Sequence, residues 1–146
     1  MVPRTQRGRG LSGEALEAMA ELGRRHALDA LIAPVRPSWK GLYPLVPIER
    51  YAGWRRPDGL LFDPWMRAHE RLGGTVLKPE PRSLQITGSV LEWETWTGLR
   101  FVESGDYWFP GGLATLAIDA ALDRGSYWEP NVWMLHELGS RERRGA

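Results

Sequence analysis

Cysteine is missing from all 146 residues, which excludes disulfides, thiolate metal sites and a cysteine nucleophile together. The fold has to hold by packing. No apolar run approaches the length a bilayer-spanning helix needs, and the N-terminus is polar where a secretory signal would be apolar, so a cytoplasmic location is the expectation and no membrane partner is called for. An excess of one charge is lacking too: 19 Lys and Arg stand against 18 Asp and Glu, a formal net charge of +1. Such a balance gives no general argument for nucleic acid. Arg4, Arg7 and Arg9 do cluster, as do Arg141, Arg143 and Arg144, the second group reading as a solvated tail. Two Arg-Gly pairs without an aromatic-basic motif behind them do not make an RNA-binding segment.

Other absences narrow the chemistry. His26 and His136 have no partner at ligand spacing, and His69 lies on an apolar helical face, so no metal site is expected. Glu92 and Glu94 are two apart on one helix and diverge, against a paired-carboxylate hydrolase. Arg82-Ser83-Leu84 lacks the flanking glycines of a nucleophile elbow.

What is present fits one domain over residues 1–146. The chain is 42% hydrophobic and 25% charged, ordinary for a globular protein with a real core. Tryptophan is in excess, with eight copies, and such residues fill cores or line broad grooves. Leu28 to Val35 suits a buried strand, and Arg36 to Pro44 a loop broken by Pro and Gly. Pro47 opens a helix with Ile48, Tyr51, Ala52 and Trp54 on one stripe. Asp63-Pro64 opens another, with Trp65, Ala68, His69 and Leu72 on one face and Gly73-Gly74 as its stop. Thr75 to Lys78 and Ser83 to Thr87 read as two strands separated by Pro79 and Pro81, the second pointing Leu84 and Ile86 inward. Ser89 to Thr97 has capping-box spacing with Gly98 as its stop, and strands are expected at Gly105 to Phe109, Leu113 to Ile118 and Ser126 to His136.

The richest stretch is Arg7-Gly8-Arg9-Gly10-Leu11-Ser12, which runs straight into a helical pattern. A glycine-rich loop lets successive N–H groups point inward, and the following helix adds its own unpaired N–H groups and dipole, so an anion such as a pyrophosphate is what it would hold. Ser12 reads as the N-cap, Glu14 sits in the first turn, Arg24, Arg25 and His26 in the last, and Leu16, Met19, Ala20 and Gly23 give an apolar face.

This stretch resembles the acyl-CoA-binding motif of the GNAT superfamily of N-acyltransferases: Arg or Gln, two residues, Gly, one residue, Gly or Ala. Arg7 and Gly10 fill their positions, and Ser12 stands where Gly or Ala is usual. Pro44 to Tyr51, Phe62-Asp63-Pro64-Trp65 and Glu129 to Trp133 resemble the C-terminal part of such proteins. The resemblance implies an α+β fold with a mixed, mostly antiparallel sheet and packed helices, and acyl transfer from acetyl-CoA or another acyl-CoA to a small-molecule amine, with no metal. It implies that the backbone of Arg7, Gly8, Arg9, Gly10, Leu11 and Ser12 holds the pyrophosphate. A tyrosine after the next strand would serve as acid, Tyr43 or Tyr51, with Glu49 as a base acting through water. The family places three strands before this loop, where the chain has Met1 to Gln6. Three readings are open: a late start, completion by a partner chain or second copy, or a remodelled non-catalytic binding module. An orphan sheet edge suited to a homodimer or partner is the structural expectation.

Overall fold

The computed structural model describes residues 11–139. Helix α1 (Leu11–Arg25) leads into strand β1 (Ala30–Val35), a single 3-10 turn at Lys40–Leu42, and helices α2 (Ile48–Tyr51) and α3 (Pro64–Arg71). Strand β2 (Thr75–Gly88), helix α4 (Val90–Thr97) and strands β3 (Gly105–Tyr107), β4 (Leu116–Asp119) and β5 (Arg124–Glu137) complete it. This is an α+β fold.

Local chemistry sets the helix ends. Asp63 accepts the N–H groups of Trp65 and Met66 at the start of α3, while Pro64 fills a first-turn position that needs no N–H partner. Ser89 and Glu92 close a reciprocal capping box on α4, and Gly98, at φ 74°, ends it in the left-handed conformation. Helix α1 is described from Leu11, so Ser12, expected as its N-cap, lies within it. It ends with Ala27 N–H on the Arg24 carbonyl and Leu28 N–H on that of Gly23, both 3.0 Å, the paired bonds of a Schellman turn. That turn occupies residues 26–28 and delays β1 to Ala30.

Strand β5 is the spine of the sheet. β2 lies along one side of it, while β1 and then β4 pair with successive stretches of the other, and β3 extends from β4. Every pairing among the described strands is antiparallel, in line with the mixed, mostly antiparallel sheet expected. The two strands expected on either side of Pro79 and Pro81 are one strand, β2. Its register shifts between Val76 and Lys78 and again between Glu80 and Leu84; Pro81 falls within the second irregularity, and Pro79 pairs with Val132 on this rim strand. Leu84 and Ile86 are 52% and 37% exposed and not inward, because β2 lies at the rim of the sheet.

Burial along β5 reverses phase. Gly125 and Tyr127 are buried at its start, and Pro130, Val132, Met134 and His136 further on. Alternate side-chain sets therefore serve two cores. The first joins Val35, Ile48, Tyr51, Leu61 and Met66 to Val132 and Met134; the second joins Trp93, Phe101, Leu116 and Ile118 to Tyr127. Polar staples link them. Arg36 donates to Glu129 and to the Gly111 carbonyl, both at 2.9 Å, and the Leu113 peptide donates to the Tyr127 hydroxyl while accepting from Lys40 Nζ.

Candidate functional site

Asp63 gathers the first of two polar clusters. Beyond its helix, it accepts from the backbone N–H of Ser38 (3.2 Å) and Trp39 (2.9 Å) and from the Tyr51 hydroxyl (2.5 Å). Burial and this carboxylate push the Tyr51 hydroxyl well above the ordinary tyrosine range. Nearby Lys40 is buried, donating from Nζ to the carbonyls of Tyr43 (2.8 Å) and Leu113 (2.6 Å), and burial lowers it to about 8. These groups are spent on one another and on backbone, which makes the cluster a clasp between the loop at 36–43 and α3.

The second cluster faces open space. A cleft of about 460 Å³ lies beneath α1, walled by Leu16 and Ala20 of α1, Leu31 of β1 and Leu72 just past α3. Glu17, Glu21 and Arg24 supply its charged side, and His136 of β5 is its buried polar group. The register that pairs Leu31 with His136 brings both to the cleft. Glu21 is partly engaged, with Arg24 at 3.4 Å and Arg25 at 3.5 Å in exposed ion pairs of little energetic weight.

His136 does not stand alone. Its Nε2 lies 2.9 Å from Nδ1 of His69, a buried residue in the last turn of α3. Trp65 packs edge-on against the His69 ring at 4.7 Å. Gly74 makes room for the pair, since a Cβ there would come within 2.7 Å of His136 Cε1 and 2.8 Å of the His69 carbonyl. Burial lowers both histidines, and His136 adds to the lowering of His69, which falls to about 4. Both shifts favour the neutral ring.

Of the residues singled out in the sequence, Arg7, Gly8, Arg9 and Gly10 lie outside the described residues, and Leu11 and Ser12 open α1. Tyr51 sits in the first core with its hydroxyl on Asp63. Tyr43 is half-buried, its ring edge-on to Trp54 at 5.1 Å and to Phe62 at 5.8 Å. Glu49 is exposed in the first turn of α2. None of these three lines the cleft. The histidine pair escaped sequence reading, which left His136 without a partner, because 67 residues separate its members. The described residues contain no group of three or more His, Cys, Asp or Glu that could hold a metal, and no described helix is long and apolar enough to cross a membrane.

No protein-family model and no solved structure matches the chain. It is similar to the arginine N-acetyltransferase avaD of Aspergillus versicolor, at 33% identity over 155 residues, covering 94% of this chain and 53% of that protein. The chain thus spans about half the length of the curated relative it matches. The antiparallel sheet with its helices is compatible with a partial GNAT fold.

Proposed function

We propose that this chain is the acyl-CoA-handling part of an N-acetyltransferase, which moves an acetyl group from acetyl-CoA to an amine. The observation that carries the reading is the similarity to an arginine N-acetyltransferase along 94% of the chain. The sequence of Arg7 to Ser12 adds to it, because a glycine-rich stretch leading into α1 suits a pyrophosphate. Leu16, the first cleft residue along α1, lies roughly 8 Å from Leu11 at 1.5 Å per residue. A cofactor with its phosphates at the helix start and an extended arm would run toward the cleft. The amine forms a bond to the thioester carbon, the carbon–sulfur bond breaks, and the thiolate takes a proton. Tyr43 and Tyr51 are the proposed acids, and Tyr43 is favoured because the Tyr51 proton is committed to Asp63. Glu49 is the proposed base through water.

A second polypeptide, either another copy or a distinct partner, is proposed to pair with the open edge of the sheet. Strand β1 supports this: among the described residues it pairs with β5 alone, leaving its other edge open. The same edge supports the second reading, a non-catalytic binding module built on the fold.

Calorimetric titration with acetyl-CoA tests the proposal. Micromolar affinity is expected, abolished by Gly10→Val, and a well-folded protein that binds neither CoA nor acetyl-CoA at millimolar concentration refutes it. Acetyl transfer to L-arginine, the amino acid in the relative's name, separates the enzyme from the binding module, and a sizing run alongside reads the assembly.

A further inference from the structure

We propose that His69 and His136 form a two-histidine proton relay at the floor of the cleft, which takes the proton of a cationic amine bound there through His136 Nδ1. The inference rests on the acetyltransferase reading of the same cleft and gives the preparation of the nucleophile to His136 in place of Glu49, which does not line the cleft.

The geometry supplies each part. His136 is 6% exposed and lines the cleft, and with Nε2 engaged by His69 at 2.9 Å, Nδ1 is the polar atom its ring has left to offer. Two neutral imidazoles hold two ring protons between them. One lies in the shared bond and the other on an outer nitrogen, His136 Nδ1 or His69 Nε2. When Nε2–H of His136 donates to Nδ1 of His69, the Nδ1 lone pair of His136 is free to accept. A proton arriving there lets the shared proton pass to His69 Nδ1, so that the two rings share one added charge. The groups facing His136 from α1 are Glu17, Glu21 and Arg24. From α3 come His69, in its last turn, and the edge of Trp65, in its first, behind it. Two carboxylates against one guanidinium favour an ammonium at the mouth, and the neutral pair offers that ammonium an acceptor without a second cation.

The proton count closes. The ammonium loses one proton to His136 and attacks the thioester carbon; the proposed tyrosine acid protonates the departing thiolate and is restored by the nitrogen's second proton. Products are the amide, the free thiol and one proton, which the pair returns to solvent through the cleft as the amide leaves, restoring the starting tautomers. His136 is then the catalytic residue, and His69 a positioning residue acting through it.

The test has two arms, both on the full chain. With 15N-labelled histidine, ring shifts are followed from pH 8 to 5; values averaged between the two tautomers for the bonded nitrogens are expected, and one fixed tautomer throughout overturns the relay whatever the activity. In the second arm, acetyl transfer to L-arginine is measured against pH for wild type, His136→Gln and His69→Gln, with acetyl-CoA affinity titrated in each. His136→Gln should lower kcat about 100-fold at unchanged affinity, and His69→Gln about 10-fold with a displaced acidic limb of the pH profile. Full kcat in both folded variants overturns the proposal. Failure of the parent reading shows instead as a wild type that binds no acetyl-CoA and transfers nothing. Where a variant does not fold, the ring shifts decide.

Discussion

The two cores differ in what they bury. Around the first, with its helices and the C-terminal half of β5, lie Lys40, Asp63, His69 and His136, the four buried polar or charged side chains among the described residues. The second is built of rings: Trp93 meets Phe109, Tyr127 and Trp96 at centroid distances of 5.6, 6.3 and 5.1 Å, and its indole N–H is satisfied by the Gly125 carbonyl at 3.0 Å. Aromatic packing of this kind holds a fold without titrating. Buried titratable groups cost desolvation free energy and persist where they serve a network or a site. The comparison assigns the chemistry of the molecule to its first half and much of the scaffold to its second.

Removing the hub of the first half should cost most. Asp63→Ala leaves the Tyr51 hydroxyl and several backbone N–H groups without their acceptor, an expected loss of about 4 kcal/mol. Urea unfolding measures it, and a loss below about 1 kcal/mol would show that water replaces the carboxylate and that the clasp is not structural. The matching change in the second half is steric. In Gly125→Ala the added Cβ would sit 2.3 Å from Trp93 Cδ1 and 2.6 Å from its Nε1, and expelling a ring from a packed core should cost about 3 kcal/mol. A small effect there would mean that Trp93 has somewhere else to go.

The pH dependence should separate the halves. His69 titrates at about 4 when folded and near 6.5 otherwise, so between those values the unfolded chain binds more protons and stability rises with pH. It is fully present above pH 6.5 and is lost on acidification toward 4, by up to about 3 kcal/mol, with His136 acting in the same direction. Lys40, lowered to about 8 from 10.5, adds a second rise beginning near pH 8, which the raised Tyr51 hydroxyl opposes above 10. Hydrogen exchange at pH 4.5 should open amides of α3 and β1 before those of α4 and β4. Simultaneous opening would erase the proposed difference.

How much of this was legible depends on the span of each interaction. Caps are written within four residues, so Asp63-Pro64, Ser89 with Glu92, and Gly98 foretold α3 and α4 to within a residue. The bond from Tyr51 to Asp63 crosses 12 residues and the histidine bond 67. Neither has a local signature, and the second needs α3 and β5 placed together. Prolines 79 and 81 misled because they forbid a central strand, whereas β2 is marginal and bulged, a matter of sheet order that periodicity does not carry. Leu84 and Ile86 alternate as a half-buried strand should, yet alternation does not tell where the core ends.

The smallest effect tests the seam between α1 and β1, beside the cleft. Ala27 holds φ 56° at the Schellman position that closes α1, where a side chain crowds its own carbonyl and glycine does not. Ala27→Gly should therefore stabilise by about 1 kcal/mol, less what glycine adds to the freedom of the unfolded chain. The turn fixes the angle at which α1 leaves the sheet and so bears on the separation of Glu17 and Glu21 from His136. If tightening it raises Tm without changing acetyl-CoA affinity, the cleft is already set in the free protein. If affinity falls as stability rises, the angle of α1 has to give when the ligand enters, and the strain at Ala27 belongs to the site as well as to the fold.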